Sequence, residues 1–353
     1  MKMLGGFVPV RWFGVIVLVV GLLSGSQAFA RVQLHVWSAT DTSAFEPIIK
    51  AFEERYPDIE VVYREFNTSE LYQVVMYNID NPDMEADVII SPAMDLQVKL
   101  VNEGLAYQFE PENAEAIPSW AKWRNELYGF SFEPAAFVYN KQAFQGLTRP
   151  TSHTDLSSLV RDYPEMFRGK IGTYDIRKSG IGYFFATQDA IQNNQSSRLI
   201  ETFGRAGARL YCCSSEILNR VATGELVLGY NVISSYAIEA AKNLPEIGIY
   251  FLRDYTIAMS RTAFVPKTSQ AKYEAQAFVN FLLSHEGQEV LANQSALIPI
   301  NQKVQIELSP HIADIPVFRV KLGIGLLGFQ DQLKKRSFLE DWRSSILWNR
   351  EEE

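Results

Sequence analysis

The sequence predicts an α/β protein made of two doubly wound lobes. Two observations predict this fold class. Apolar segments with strand character alternate with amphipathic helices along the first part of the chain, as in a mostly parallel sheet covered by helices. The chain has 353 residues, which is more than one compact core usually holds, and this length favours two lobes.

The first 30 residues predict a Sec signal peptide. Lys2 and Arg11 precede the apolar run VIVLVVGLL, and the run is followed by the small-x-small motif AFA. This pattern is typical of an exported protein cleaved before Arg31. The run is shorter than a comfortable membrane span, so an uncleaved anchor is the less favoured alternative. No cysteine follows the motif, and we therefore expect a freely diffusing periplasmic protein.

Residues 31–130 predict the first part of the first lobe. Strand character comes from alternating or buried apolar residues, and helix character from faces such as that of Ile48, Ile49 and Phe52. The predicted elements are strand 32–38, helix 45–57, strand 59–65, helix 69–79, strand 86–91 and helix 95–103.

A helix pair near the end of the chain resembles a known family. In residues 274–300, Phe278 and Phe281 sit at helical spacing, and Ser284 can cap a second helix. This segment resembles the closing part of bacterial extracellular solute-binding proteins, the receptors of ABC importers, in the subgroup that includes ferric-ion and sugar-phosphate receptors. The resemblance implies the type II periplasmic binding protein fold, with two crossing strands between the lobes.

The resemblance also implies how the rest of the chain is organised. It places the first crossing in the aromatic-rich segment 127–140 and the second near 225–232. The second lobe would cover 131–228, with strand 170–175 and two helices. The remaining boundaries are a first-lobe segment at 229–300, which contains helix 234–243 and strands 247–253 and 256–265, and a helical tail at 301–353 packed on the first lobe.

Four predicted loops follow strands, where ligands bind in doubly wound sheets. Helices that begin in such loops expose unpaired N–H groups and the positive end of the helix dipole. The resemblance implies that all four loops open toward one cleft. The candidate ligand-binding residues in them are Ser38, Thr40, Asp41, Ser91, Met94, Arg177, Lys178, Ser179, Gly180, Asn231, Ser235 and Tyr236.

The loop at residues 177–180 carries the sharpest signal for an anion. Arg177 could bind a carboxylate or phosphate bidentately, and Lys178 adds a second cation. Ser179 could cap the following apolar helix, and Gly180 would allow a close approach to the backbone. The alternative is a solvated turn with an ordinary cap. Together with the resemblance, this loop predicts an organic phosphate, a sugar phosphate or a carboxylate as the ligand.

A ferric-ion receptor is the alternative function. Ferric receptors of the subgroup carry two adjacent tyrosines and a histidine in the first loop. Here Ser235 precedes a single Tyr236, and Asp41 stands near the expected histidine. Fe(III) needs several anionic oxygen or imidazole ligands, so this departure argues against iron. Packing at the cleft edge is the other interpretation of Tyr236.

The resemblance implies a monomer that delivers a small molecule to an inner-membrane ABC permease, or presents it to a sensor histidine kinase. A net charge of -8 disfavours general nucleic-acid binding, although an anion can still bind locally. We expect no enzymatic activity, cofactor or metal, because the sequence has no HExxH, GxSxG, Walker A or GxGxxG pattern.

Cys212 and Cys213 are the only cysteines, and they are neighbours in the segment ARLYCCSSEIL. A disulfide between adjacent residues is strained and rare, so no disulfide framework is expected. We interpret both as small buried side chains in an apolar stretch. A redox or metal-binding role is the alternative.

Overall fold

The computed structural model describes most of the chain after Ala30. The described residues are 1–2, 5–6, 31–78, 81, 84–301, 303–304 and 315–347. Met1–Ala30 and Arg31–Glu353 form separate units. The apolar run of the predicted signal peptide lies outside the described residues. Within the described part, no helix has the length and apolar character needed to cross a membrane.

The first lobe is built on a six-stranded sheet. The strand that comes first in the chain is parallel to both of its neighbours in the sheet. The strand with which the chain later returns to this sheet is antiparallel to both of its neighbours. The strands lie in the order β2 (Ile59–Glu65), β1 (Val32–Ser38), β3 (Val88–Ser91), β12 (Thr262–Phe264), β5 (Leu127–Gly129) and β4 (Lys122–Trp123).

Apolar helix faces pack on this sheet because their large side chains can leave water only there. Phe45 and Phe52 of the first helix and Phe278 of the closing pair are fully buried in one cluster. Ser284 accepts a hydrogen bond from the Gly287 N–H (3.0 Å), which confirms the predicted cap. The helices are α1 (Thr42–Arg55), α2 (Thr68–Tyr77), α3 (Met94–Asn102), α10 (Lys272–Leu283) and α11 (His285–Gln294).

The second lobe is built on a seven-stranded mixed sheet. Its strands are β13 (Val317–Arg319), β11 (Thr256–Met259), β6 (Glu133–Asn140), β9 (Leu228–Ile233), β7 (Ile171–Tyr174) and β8 (Arg209–Tyr211) in that order, with β10 (Ile247–Tyr250) also paired to β6. Its helices are α4 (His153–Asp162), α5 (Pro164–Phe167), α6 (Gly180–Gln192), α7 (Ser196–Arg205), α8 (Ser214–Ala222) and α9 (Ser234–Asn243).

The chain returns to the first sheet later than predicted. Strands β10 and β11 pair antiparallel with β6, so residues 247–259 belong to the second lobe, and the predicted return near 225–232 is wrong. The return lies at Ser260–Arg261, between β11 and β12. The apolar run 256–265 resembles one strand because its character is unbroken, and local pattern does not reveal a change of sheet.

The tail contacts both lobes instead of the first lobe alone. A 3-10 helix at Ile324–Phe329 packs on α3 of the first lobe. The last helix, α12 (Gln332–Ile346), packs on α7 of the second lobe, where Trp342 joins the apolar cluster of Phe203. Gly204 permits this contact, since a Cβ there would collide with the carbonyl oxygen of Ser345. The predicted packing is therefore wrong for α12.

The link between α3 and the tail predicts a pH dependence of stability. Gln330 Nε2 donates to Asp95 Oδ2 (2.6 Å), and burial raises the pKa of Asp95 to about 6, although the Gln330 hydrogen bond opposes the rise. The folded state then binds the Asp95 proton more tightly than the unfolded state, so this contribution to stability is lost as pH rises from about 4 to 6. We expect Asp95→Asn to raise the unfolding free energy at pH 7 by on the order of 2 kcal/mol.

Urea unfolding at pH 4 and pH 7 measures this effect. The variant and the wild type should differ little at pH 4 and clearly at pH 7. Glu165→Gln is the control, because Glu165 is a solvent-exposed carboxylate. An equal difference between Asp95→Asn and wild type at both pH values would contradict the assigned titration.

Candidate functional site

A cavity of about 330 Å³ lies between the two lobes. It forms where loops that precede α1 and α2 face the loop that precedes α8 and the first turn of α9. Its lining residues include Asp41, Glu65, Phe66, Asn67, Thr68 and Glu70 from the first lobe, Ile181, Cys212, Cys213, Ser214, Ser215 and Tyr236 from the second, and Arg261 from the crossing.

The lobes touch each other across this cavity. The Asp41 N–H donates to the Tyr236 hydroxyl (3.2 Å), and the Ser215 hydroxyl donates to Asp41 Oδ2 (3.5 Å). At another point of the rim, the Ile181 N–H donates to Thr68 Oγ1 (3.1 Å). A second cavity of about 530 Å³ shares Asp41, Ser215 and Tyr236 with the first. Direct contacts therefore bridge the space between the lobes, and polar groups form part of its lining.

A buried ion pair lies at the base of the cavity, on the two crossing segments. Arg261 Nε donates to Glu133 Oε1 (2.7 Å), and both side chains have 0% exposure. Arg261 Nη1 also donates to Thr40 Oγ1 (2.9 Å), while Glu133 accepts from the hydroxyls of Ser131 (2.7 Å) and Ser235. The pair thus connects both crossings with both lobes, and its polar atoms have the partners that buried charges require.

Tyr236 lies over this ion pair and presents a neutral hydroxyl to the cavity. The Arg261 guanidinium carbon is 4.9 Å from the centroid of the tyrosine ring, a cation–π distance. Burial raises the pKa of Tyr236, and Arg261 opposes only part of that rise. Burial acts to lower the pKa of Arg261, but Glu133 and its other neighbours raise it above the ordinary value. The site therefore combines a charged guanidinium with a protonated phenol.

The start of α8 forms the wall opposite Asp41. Cys213 is its N-cap residue and makes no capping hydrogen bond through its side chain. Ser214 bonds to the Tyr174 hydroxyl (2.6 Å) inside the lobe, while Ser215 reaches into the cavity. The amino end of α8, which carries the positive end of the helix dipole, therefore faces the cavity next to the hydroxyls of Ser215 and Tyr236. This arrangement suits an anion.

Comparison with known families places the chain among transport receptors. The model of the family described as bacterial extracellular solute-binding protein matches residues 47–318. The chain belongs to this family. The match covers most of both lobes and the two crossings, and it confirms the resemblance that the closing helix pair indicated.

Solved structures of solute-binding proteins share the whole fold. The substrate-binding protein of an ABC transporter from Agrobacterium tumefaciens is 34% identical, with 92% of this chain and 96% of that chain covered and a TM-score of 0.85. Iron-bound HitA from Pseudomonas aeruginosa is 21% identical over 89% and 99% of the two chains, with a TM-score of 0.72. AfuA from Actinobacillus pleuropneumoniae, solved with fructose-6-phosphate, is 18% identical over 90% and 99%, with a TM-score of 0.69. Comparison with curated proteins gives no match. The predicted type II fold is confirmed.

Most of the predicted anion loop of this solute-binding protein is engaged within the protein. Arg177 binds Asp175 bidentately, with both nitrogen–oxygen distances at 2.8 Å. Ser179 caps α6 as predicted. Gly180 does permit a close approach, but its neighbours are Thr68 and Leu96 of the first lobe. Lys178 is exposed. The role of residues 177–180 in ligand binding stays a prediction.

Other predicted residues lie behind the cavity wall. Ser38 and Ser91 are buried, and their hydroxyls accept backbone N–H groups within their own loops. The buried sulfur of Met94 accepts from the Ser260 N–H (3.4 Å). Asn231 has a left-handed φ of 58° and donates to Asp189 (2.7 Å) inside the second lobe. These side chains shape the loops, whereas Asp41 and Tyr236 face the cavity.

Two charged residues at the site were absent from the prediction. Arg261 stands alone in the apolar run 256–265, and Glu133 is the acid in the aromatic-rich segment 127–140. Charged residues in buried segments are almost always paired. If these two isolated charges had been paired with each other, the sequence would have indicated both the ion pair and the position of the second crossing.

The two cysteines also differ from expectation. They are free thiols. Cys212 is exposed and Cys213 is half-buried, so the interpretation as small buried side chains is wrong. Desolvation, followed by the Cys213 thiol and the Glu216 carboxylate, raises the pKa of Cys212 to about 12. The apolar residues beside the cysteines pack inward, and the turn before α8 directs the sulfurs to the cavity.

Proposed function

We propose that this protein captures a small organic anion between its lobes and delivers it to the permease of an ABC importer. The convergence of the α8 amino end, the Ser215 hydroxyl and the Tyr236 hydroxyl on one cavity wall carries the proposal. The role in transport is supported by the relative from Agrobacterium tumefaciens, which is the substrate-binding protein of an ABC transporter.

The opposite wall narrows the class of anion. Asp41, Glu65 and Glu70 line the cavity from the first lobe. Glu65 already accepts from the Thr42 N–H (2.7 Å) and hydroxyl (2.6 Å), whereas the Asp41 carboxylate has, among the described residues, only the long contact with the Ser215 hydroxyl (3.5 Å). Carboxylates repel a bare anion but accept hydrogen bonds from hydroxyl or amino groups. A hydroxylated anion, such as a sugar phosphate or a hydroxycarboxylate, has a charged group for the α8 wall and hydroxyls that can donate to the carboxylates of the opposite wall.

A ferric site is less well supported by the same residues. Fe(III) would require phenolate from Tyr236, but burial raises the pKa of that phenol. The hydroxyls of Tyr63 and Tyr174 are already bonded to Thr40 (2.6 Å) and Ser214 (2.6 Å). The described site therefore favours a ligand held by hydrogen bonds over a metal held by tyrosinates.

Binding measurements on three variants test the anion site. The ligand is first selected by thermal shift from sugar phosphates and hydroxycarboxylates, since ligand at ~100 times its Kd adds about 2.7 kcal/mol of stability. Calorimetry should then show that Ser215→Ala and Tyr236→Phe each weaken binding roughly 10- to 150-fold, as expected for a lost hydrogen bond to a charged group.

Arg177→Ala is the comparison variant. Because Asp175 holds the guanidinium, we expect the change in affinity to stay below about 3-fold, or under about 0.7 kcal/mol. The opposite pattern, with a strong effect of Arg177→Ala and none of Ser215→Ala, would move the anion to the start of α6. Uptake of labelled ligand by a deletion strain distinguishes import from presentation to a sensor histidine kinase, which would leave uptake unchanged.

A further inference from the structure

Three groups that can bind a metal converge on the second-lobe wall of the cleft. Cys212 Sγ lies 2.8 Å from Cys213 Sγ and 3.6 Å from Glu216 Oε2. The three ligand atoms all lie within 4.8 Å of one another. The turn before α8 brings the sulfurs together, and the first turn of α8 brings the carboxylate back over them. Among the described residues, this is the one cluster of histidine, cysteine and acidic side chains with such spacing.

We propose that Cys212, Cys213 and Glu216 bind a thiophilic divalent metal ion such as Zn²⁺. Two thiolates and one carboxylate are ligands that Zn²⁺ accepts in tetrahedral sites, and thiolates disfavour Mg²⁺ and Ca²⁺. On binding, each thiol releases one proton to solvent and forms one sulfur–metal bond, and no electrons are transferred. The ion offsets the mutual repulsion of three anionic ligands placed side by side.

Arg220 orients the carboxylate for this role. Its Nη2 donates to Glu216 Oε1 (3.0 Å), which leaves Oε2 directed at the Cys212 sulfur. Arg220 also binds Glu225 (2.8 Å), so its guanidinium is held from both sides. Partners of this kind, which fix the orientation of a metal ligand, contribute substantially to metal affinity.

The fourth position of a tetrahedral ion would face the cleft. Both cysteines line the same cavity as Ser215 and Tyr236. Three protein ligands and one open position allow water or an oxygen of a bound solute to complete the coordination. The metal site uses side chains other than the proposed anion contacts, so it stands whether or not the solute is an anion.

Titration of the reduced, purified protein with Co²⁺ and Zn²⁺ tests the site. In a phosphine reductant, Co²⁺ should produce a thiolate-to-metal charge-transfer band that saturates at one equivalent and disappears on addition of Zn²⁺. Cys212→Ser and Cys213→Ser should each weaken Zn²⁺ binding more than about 100-fold, and Glu216→Gln about 10-fold, by comparison with the 10–100-fold cost of losing an orienting partner.

Glu201→Gln is the matched control. Glu201 pairs with an arginine four residues later, as Glu216 does, but on α7 and without a cysteine beside it. Its affinity for Zn²⁺ should equal that of the wild type. Circular dichroism checks the fold of every variant, and Glu216→Gln remains informative if a cysteine variant does not fold. Three results would overturn the proposal. They are the absence of a charge-transfer band with Co²⁺, formation of a disulfide in place of metal binding, and an affinity for Zn²⁺ that is unchanged in both cysteine variants.

Discussion

Replacing Glu133 by glutamine should lower the unfolding free energy by about 3–5 kcal/mol, the usual cost of removing one partner from a buried ion pair. The Arg261 guanidinium is fully buried, and its Nε donates to Glu133 at 2.7 Å. Glutamine keeps the shape of the side chain but leaves the positive charge without a counter-charge. Urea unfolding monitored by tryptophan fluorescence measures the loss.

An exposed ion pair of this chain is the control. Glu165 and Arg168 lie 2.7 Å apart with side-chain exposures of 82% and 71%. Solvent screens such a pair, so Glu165→Gln should change the unfolding free energy by less than about 1 kcal/mol. If Glu133→Gln costs no more than the control, the guanidinium must be stabilised by its hydroxyl and carbonyl partners instead of by the carboxylate.

A double replacement separates stability from the control of lobe geometry. Glu133→Leu combined with Arg261→Met removes both charges and keeps most of the volume. Apolar replacements of buried pairs are often neutral or stabilising. Stability near that of the wild type, with weakened solute binding, would show that the pair positions the crossings. Weakened stability in the double variant would assign the cluster a structural role as well.

The fold could be predicted largely because its information is local. The strand at Val32–Ser38 and the helix that follows it are visible as alternation and as an apolar face within a few residues. The cap at Ser284 is also a local signal. The pairing of β10 and β11 with β6 joins distant parts of the chain. An apolar strand can pair at the edge of either sheet, so its local sequence does not indicate which sheet it joins. This is why most of the predicted elements were found close to their predicted positions, while 256–265 was predicted as one strand and residues 247–259 were assigned to the wrong lobe.

The site was less predictable because its contacts join distant parts of the chain. Asp41 and Tyr236 meet across 195 residues, and nothing in either local segment indicates the other. Arg177 shows a different limit of local patterns. A local pattern of cations before a helix suggested a free anion-binding group, but Asp175, only two residues earlier, occupies the guanidinium. Predicting a site therefore requires knowledge of which polar groups the protein itself satisfies.

Replacing Trp342 by alanine should lower the unfolding free energy by about 3–5 kcal/mol, the usual cost of removing a large aromatic side chain from a core. Trp342 lies on α12 with 5% exposure, in one cluster with Phe203 and Ile346. The expected loss is that of a core position because α12 completes the apolar face of the second lobe. A helix that extended from the first lobe without packing on the second would contribute little to the unfolding free energy.

Leu333 on the same helix is the control for this prediction. Its exposure is 75%, so Leu333→Ala should change the unfolding free energy by no more than about 0.5 kcal/mol.

Gly204→Ala tests the same contact from the opposite side, because its added methyl group would meet the Ser345 carbonyl and displace α12. Equal, small effects of Trp342→Ala and Leu333→Ala would mean that α12 is not docked on α7. A large effect of both Trp342→Ala and Gly204→Ala would make the tail an integral part of the second lobe. Because the 3-10 helix before α12 packs on the first lobe, the tail would then couple the stability of one lobe to the position of the other.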